Sequence, residues 1–206
     1  MSILIIDTET TGLPNRPSFN KYYNPMRYNH YDSSRLIEIG YIIYNEQGEK
    51  IKENSFLIKT NNFKIENSHI HGITQIDTDT NGIDIDDGLN KLNEDLQNIK
   101  VIVAHNLLFD INIILAECYR NENSDLIKTI KSKLGECSMK LAKKKFKLTK
   151  YPKLINLYEM LFNEKPIQEH RALSDCELCG KCYFKLKKNN YFFIYIYIYK
   201  CIIINI

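Results

Sequence analysis

The stretch ILIIDTETTG, residues 3–12, decides how the rest of the chain is read. Ile3-Leu4-Ile5-Ile6 is a continuous apolar run of strand length, the pattern of a strand buried on both faces. It then breaks abruptly into two acids, Asp7 and Glu9. Alternate residues of a strand share a face, so the two carboxylates project together. Neighbouring carboxylates repel and resist burial unless a cation or a shared proton compensates. Taken alone, the pattern also fits a strand end fraying into solvent.

Working outward, residues 2–9 form a first strand. Residues 14–35 carry Pro, Asn and Tyr without a period and read as a long loop. Residues 35–60 read as two strands around the turn Asn45-Glu46-Gln47-Gly48. SHIHGIT, 68–74, is a short loop motif. Leu89, Leu92 and Leu96 recur at helical spacing, and KVIVAH, 100–105, is another short buried strand. Asn106 then caps a helix whose apolar face includes Phe109, Ile113 and Ala116. Three strands followed by strand–helix alternation predict an α/β fold, a mixed sheet covered by helices.

Two further patterns repeat the opening one. In HNLLFD, 105–110, a buried strand again ends in polar residues, and Asp110 falls in the first helical turn, where the dipole favours an anion. In HRALSD, 170–175, His170 precedes a helix and Asp175 lies one turn into it, so both can face one site. Singly, each acid fits an ordinary helix start. Together they supply four acids and a histidine, a donor set suited to a hard cation such as Mg²⁺ or Mn²⁺. Two such ions about 3.5–4 Å apart can hold the attacking and leaving oxygens of a phosphodiester in line.

These motifs, in this order, resemble those of the DnaQ-like (DEDDh) 3′–5′ exonucleases, which include bacterial proofreading subunits and RNA-trimming enzymes. DTETTGLP, HNLLFD and HRALSD match the three motifs, and RLIEIG and HGIT resemble the family's recurrent second-strand and loop segments. The resemblance covers roughly residues 2–188 and is similar to the proofreading exonuclease domain of the DNA polymerase III epsilon type. It implies an RNase H-like fold with a five-stranded mixed sheet flanked by helices. It implies a metal-dependent 3′–5′ exonuclease releasing nucleoside 5′-monophosphates with two divalent cations, Mg²⁺ or Mn²⁺ in its place. Asp7, Glu9 and Asp175 would bind the ion carrying the attacking water. Asp7 would bridge to a second ion completed by Asp110, and His170 would take the proton from the water. Thr10, Thr11, Gly12 and Leu13 would meet the 3′-terminal nucleotide, with Asn106 and Phe109 shaping the same pocket. The substrate would be a single-stranded or frayed 3′ end, DNA in slight preference to RNA. An RNA-trimming exoribonuclease, a proofreading or repair role beside a DNA polymerase, and a non-catalytic nucleic-acid-binding module stay open as alternatives.

Composition sets wider bounds. The chain has 206 residues, 44% hydrophobic and 26% charged, with a net charge of +3. That length suits one ordinary domain, and that charge is too mild to name a partner. The charge is uneven: residues 128–153 hold ten Lys and one Glu, whereas 60–98 are acidic. A lysine-rich surface would attract a phosphate backbone. The 14–35 loop carries Tyr22, Tyr23, Arg27, Tyr28, His30 and Tyr31. We read these as packing on their own protein or a partner, ahead of stacking on bases. The six cysteines suit free thiols in a reducing compartment. Cys176, Cys179 and Cys182 sit within a helical pattern, as small residues packing on a sheet rather than a metal–thiolate site. No secretory signal is read, so the expectation is an intracellular protein, cytoplasmic or nuclear, without a membrane association. Residues 1–190 are expected to form the exonuclease domain and 191–206, YFFIYIYIYKCIIINI, a low-complexity Ile/Tyr-rich tail capable of a strand pattern.

Overall fold

The computed structural model describes residues 2–18, 21–167 and 170–203, with side chains as far as Lys188. The expected 191–206 tail lies outside the residues whose side chains are described. Five strands form one mixed sheet: β1 (Ser2–Thr10), β2 (Leu36–Tyr44), β3 (Lys50–Leu57), β4 (Ile99–Ala104) and β5 (Leu134–Cys137), in the order β3-β2-β1-β4-β5. β2 pairs antiparallel with β1 and β3, whereas β4 runs parallel to β1 and β5 parallel to β4. The turn between β2 and β3 is closed by Asn45 Oδ1, which accepts from Gln47 N at 3.0 Å and Glu49 N at 2.9 Å.

Alternation along β1 sorts the molecule into two cores. Leu4 and Ile6 face one side, with α3 (Ile85–Leu96), α4 (Leu107–Arg120) and α5 (Ser124–Ser132); Leu89, Leu92, Ile113 and Leu126 fill that layer. Ile3 and Ile5 face the other, with α6 (Ser138–Lys145), α7 (Leu154–Phe162) and α8 (Ala172–Ile203). Asp7 and Glu9 have the parity of Ile3 and Ile5, so they point to the side on which α8 begins. Each fully buried Ile or Leu of these layers contributes about 1.5–3 kcal/mol relative to exposure. The strand end that carries the acids is therefore held by a substantial apolar base.

The three thiols of CELCGKC are part of the second core, as their small size suggested. Cys176 Sγ donates to Gly40 O at 3.1 Å, Cys179 Sγ lies 3.6 Å from Ser138 Oγ, and Cys182 is fully buried. Among the described residues all cysteines are free.

Several segments differ from the sequence reading. SHIHGIT is not simply a loop: Ser68–His71 makes a turn of helix, α1, closed by Gly72 in the left-handed conformation at φ 71°. α2 (Gln75–Asn81) follows, with a reciprocal capping box between Thr74 and Asp77. Asn106 precedes α4, but its side chain makes no capping hydrogen bond. It instead donates from Nδ2 to the Tyr22 hydroxyl at 3.4 Å. The lysine-rich segment contains the edge strand β5, LGEC, too short and too polar to show a period.

The 14–35 loop packs largely on its own protein. Tyr31 is buried and donates to Tyr23 O at 2.6 Å, and Tyr23 stacks on His30 with ring centroids 3.8 Å apart. Arg120 of α4 donates to Tyr28 O and Asp32 Oδ1, at 3.0 and 2.7 Å. Among the described residues no helix is long and apolar enough to cross a membrane.

α8 approaches the sheet most closely at Gly40 of β2. A Cβ there would lie 2.6 Å from the Ala172 carbonyl carbon and from Leu173 N. Since those are backbone atoms, they yield only if the helix start moves. Gly40→Ala is therefore expected to destabilise the fold by about 1–3 kcal/mol in urea unfolding. An unchanged midpoint would show that α8 is not held against β2 at this point.

Candidate active site

The carboxylates meet where β1 outruns β4. The parallel pairing of β1 with β4 ends at Ile5 and Val103, leaving the next residues of β1 without a strand partner on that side. Asp110, in the first turn of α4, supplies one. Its Oδ1 accepts from Thr8 N at 3.1 Å and from Thr8 Oγ1 at 2.9 Å. A backbone N–H that would otherwise be buried without a partner thereby finds an acceptor, and the second motif is locked to the first.

On the other face of β1, the third motif arrives at the start of α8. Ligand oxygens of Asp7, Glu9 and Asp175 lie within 4.8 Å of one another, with Asp175 buried and the other two partly exposed. This is the one grouping of three or more potential metal ligands among the described residues. Asp110 stands beside it, its Oδ1 engaged with Thr8. The positive end of α8 also faces the cluster, a modest favourable contribution for anions.

Burial and crowding raise the proton affinity of the cluster. Asp7 is held well above the usual carboxylate range, first by burial and then by Asp110, Asp175, Glu9 and Glu38. Glu9 is pushed up to about 8, by burial first and then by Asp175, Glu38 and Asp110. Asp110 reaches about 7, with burial outweighing its hydrogen bonds from Thr8. Carboxylates in this condition suit a hard divalent cation, which would replace both the missing hydration and the retained protons.

His170 is exposed, immediately outside α8, with a left-handed φ of 50°. It lies outside the carboxylate grouping, although Asp175 N donating to Arg171 O at 3.0 Å fixes the turn that separates them. His105, the first residue of HNLLFD, is structural: burial pushes it down to about 4, and its ring nitrogens contact Ser138 Oγ and Pro152 O, each at 2.9 Å.

The segment after β1 folds back against residues 33–35. Thr10 Oγ1 and Ser34 Oγ both donate to Gly12 O at 2.7 Å, and Thr11 Oγ1 accepts from Arg35 N at 2.9 Å. A Cβ on Gly12 would meet Ser33 O at 2.8 Å. Leu13 ends this hairpin with its side chain 63% exposed. Phe109 packs on the first core, one residue before Asp110. Sequence reading missed Asn67 and His71 here. Asn67 Nδ2 donates to Thr10 O at 3.0 Å. His71 is buried and accepts from Ile73 N at Nδ1, so its proton sits on Nε2. HGIT contains His71, whereas Asn67 lies just before SHIHGIT.

Comparison with known proteins agrees with this geometry. The RNase T family model, described as exonuclease, matches residues 4–183. The chain belongs to the RNase T exonuclease family, within the DnaQ-like exonucleases. Among solved structures it is similar to the zinc-bound E. coli exonuclease I–ssDNA complex, with a TM-score of 0.67 and 16% identity over 97% of this chain and 43% of that one. It is also similar to S. pombe Pop2p in a Mg²⁺- and Mn²⁺-bound form, with a TM-score of 0.68 and 18% identity over 90% of this chain and 82% of that one. At these identities the likeness is one of fold. The chain spans less than half the length of the exonuclease I it matches. A search of curated proteins returned no match.

The raised carboxyls have a consequence for stability. In the unfolded chain a glutamate or aspartate loses its proton near pH 4, whereas folded Glu9 and Asp110 keep theirs to about 8 and 7. The metal-free fold therefore binds more protons than the unfolded chain, and it loses stability as pH rises across that window. Thermal unfolding in chelator is expected to show a melting temperature that falls from pH 5 to pH 8. Asp7→Asn should flatten the fall and raise the pH 8 value by a few degrees. A melting temperature independent of pH in the wild type would contradict the crowded-carboxylate reading.

Proposed function

We propose that the chain is a metal-dependent 3′–5′ exonuclease that hydrolyses terminal phosphodiester bonds and releases nucleoside 5′-monophosphates. The observation that carries this reading is the convergence of Asp7, Glu9 and Asp175 from opposite ends of the sequence within 4.8 Å. Family membership and the fold support it further.

Asp7, Glu9 and Asp175 would hold one divalent ion, with Asp7 and Asp110 serving a second; Mg²⁺ is the expected ion and Mn²⁺ a substitute. When bound, the ions supply charge stabilisation at the phosphate and a more acidic water. His170 would take the proton from the attacking water, the general-base role that an imidazole nitrogen can fill. It lies just ahead of α8 and is exposed to solvent. The Thr10–Leu13 hairpin receives the terminal nucleotide, where exposed Leu13 offers an apolar surface to a base and the absence of a side chain on Gly12 keeps the hairpin tight against Ser33. Asn106, linked to the Tyr22 hydroxyl, and Phe109 would shape the same pocket.

Single-stranded DNA ends are the favoured substrate, in keeping with the ssDNA present in the exonuclease I complex. Five buried free thiols support an intracellular setting. We assign the activity to residues 1–190.

The test is incubation of end-labelled single-stranded DNA, duplex DNA and RNA with Mg²⁺. Stepwise shortening from the 3′ end is expected, faster on DNA than on RNA, and abolished by chelator. Asp7→Asn should lower the rate by at least about 10³-fold with the fold intact. His170→Ala should slow the chemical step by about 10²–10⁴-fold and flatten its pH dependence. Wild-type rates in Asp7→Asn, or no product from any substrate, would refute the assignment.

A further inference from the structure

α8 starts without a cap of its own. The N–H of Asp175 bonds to Arg171 O, so Arg171 occupies the cap position. An arginine side chain has no acceptor to offer the free N–H groups of a helix start. The acceptor comes instead from the sheet. Glu38 of β2, fully buried, accepts from Ala172 N through Oε2 at 3.0 Å. The same carboxylate takes Arg171 Nη2 at 2.7 Å on Oε1, and Arg171 Nε at 3.2 and 3.1 Å on its two oxygens. Ser55 Oγ of β3 donates to Oε1 at 3.0 Å. One carboxylate thus joins β2, β3 and the first turn of α8.

Register gives this junction its meaning. Glu38 lies directly across from Glu9 in the β1–β2 pairing, and Gly40, next on that face, admits the backbone of Ala172 and Leu173. Sliding α8 along or away from β2 would move Asp175 relative to Asp7 and Glu9. Glu38 alone would also add another negative charge beside the cluster, and the Arg171 guanidinium neutralises it in place.

We propose that Glu38 and Arg171 form a clamp that positions Asp175 against Asp7 and Glu9 and so sets the divalent-ion affinity of the cluster. This rests on the metal-binding part of the reading above. Neither residue needs to touch ion or substrate; both act through the placement of α8. Partners that orient metal ligands typically change affinity 10- to 100-fold when removed.

The experiment is Mn²⁺ binding to the full chain, followed by electron paramagnetic resonance of the free ion, in the wild type and in Arg171→Gln, Glu38→Gln, the double variant and Arg171→Lys. Each Gln variant is expected to weaken Mn²⁺ binding by about 10-fold or more. The double variant should bind no more weakly than the worse single one, because the clamp acts as a unit. Arg171→Lys, which keeps the charge, should recover part of the loss. Urea unfolding of each variant separates lost affinity from lost fold. Should Glu38→Gln not fold, the Arg171 variants decide the matter, since that side chain is 45% exposed. Unchanged Mn²⁺ affinity in Arg171→Gln, or losses that simply add in the double variant, would overturn the clamp. Mn²⁺ binding that follows the expected pattern without cleavage of any nucleic acid would sink the nuclease assignment and leave the clamp standing.

Discussion

Like charges crowded at one end of a sheet are the constraint on which the rest of this structure depends. Ionised oxygens no more than 4.8 Å apart repel by at least about 3.5 kcal/mol per pair at an effective dielectric near 20. Three such pairs approach the whole net stability of a domain, about 5–15 kcal/mol. The α8 dipole returns only about 0.3–1 kcal/mol to each acid. The apolar layers on both sides of β1 can hold the backbone in place, but they do nothing to lower the repulsion. Protons or a cation act on it directly, and the raised proton affinities of Asp7, Glu9 and Asp110 are the first of these responses. A divalent ion is the second.

The fold makes that crowding unavoidable through two ordinary features. The first is the parity of β1, which places Asp7 and Glu9 on the face where Ile3 and Ile5 already meet α8. The second is the early end of β4, which leaves Thr8 N to be satisfied by Asp110. Neither acid could move away without uncovering apolar surface or abandoning a buried N–H. The loop from Pro14 to Arg35 is fixed in a similar way, through Arg120 and the stacked Tyr23 and His30. Its aromatics are mostly committed to that packing. Tyr22 accepts from Asn106, the residue that precedes α4.

Much of this was legible in sequence because it rests on strong local signals. A run of branched residues broken by Asp7 and Glu9 admits few readings, and the helical spacing of the three cysteines placed them on the sheet rather than around a metal. What escaped the sequence depended on contacts across the chain. β5 has four residues, one a glycine, and becomes a strand only because β4 offers it an edge. Asn106 has the identity of a helix cap, yet Tyr22 takes its amide. Glu38 had a signal that went unread. It sits in a strand whose residues on both faces are apolar, so its side chain could not reach water and had to have a buried partner.

The distribution of arginine separates the buried glutamates Glu38 and Glu117 from Asp7 at the candidate site. Glu117, buried in α4, receives Arg35 Nε at 2.7 Å and lies 2.8 Å from Arg120 Nη1. Glu38 receives Arg171. In both places a buried carboxylate is matched by a guanidinium, which is how a fold holds a buried charge. Around Asp7 the charges that matter most are the carboxylates Asp110, Asp175, Glu9 and Glu38. A guanidinium placed among them would relieve the repulsion, but it would also fill the space that a divalent cation would take. Arg171 reaches only as far as Glu38 and draws Glu9 down weakly from outside. Among the described residues, Glu38 and Glu117 are each matched by a guanidinium, whereas the largest charge effects on Asp7 come from other carboxylates. Crowding of carboxylates around Asp7 is what an exchangeable divalent ion would relieve.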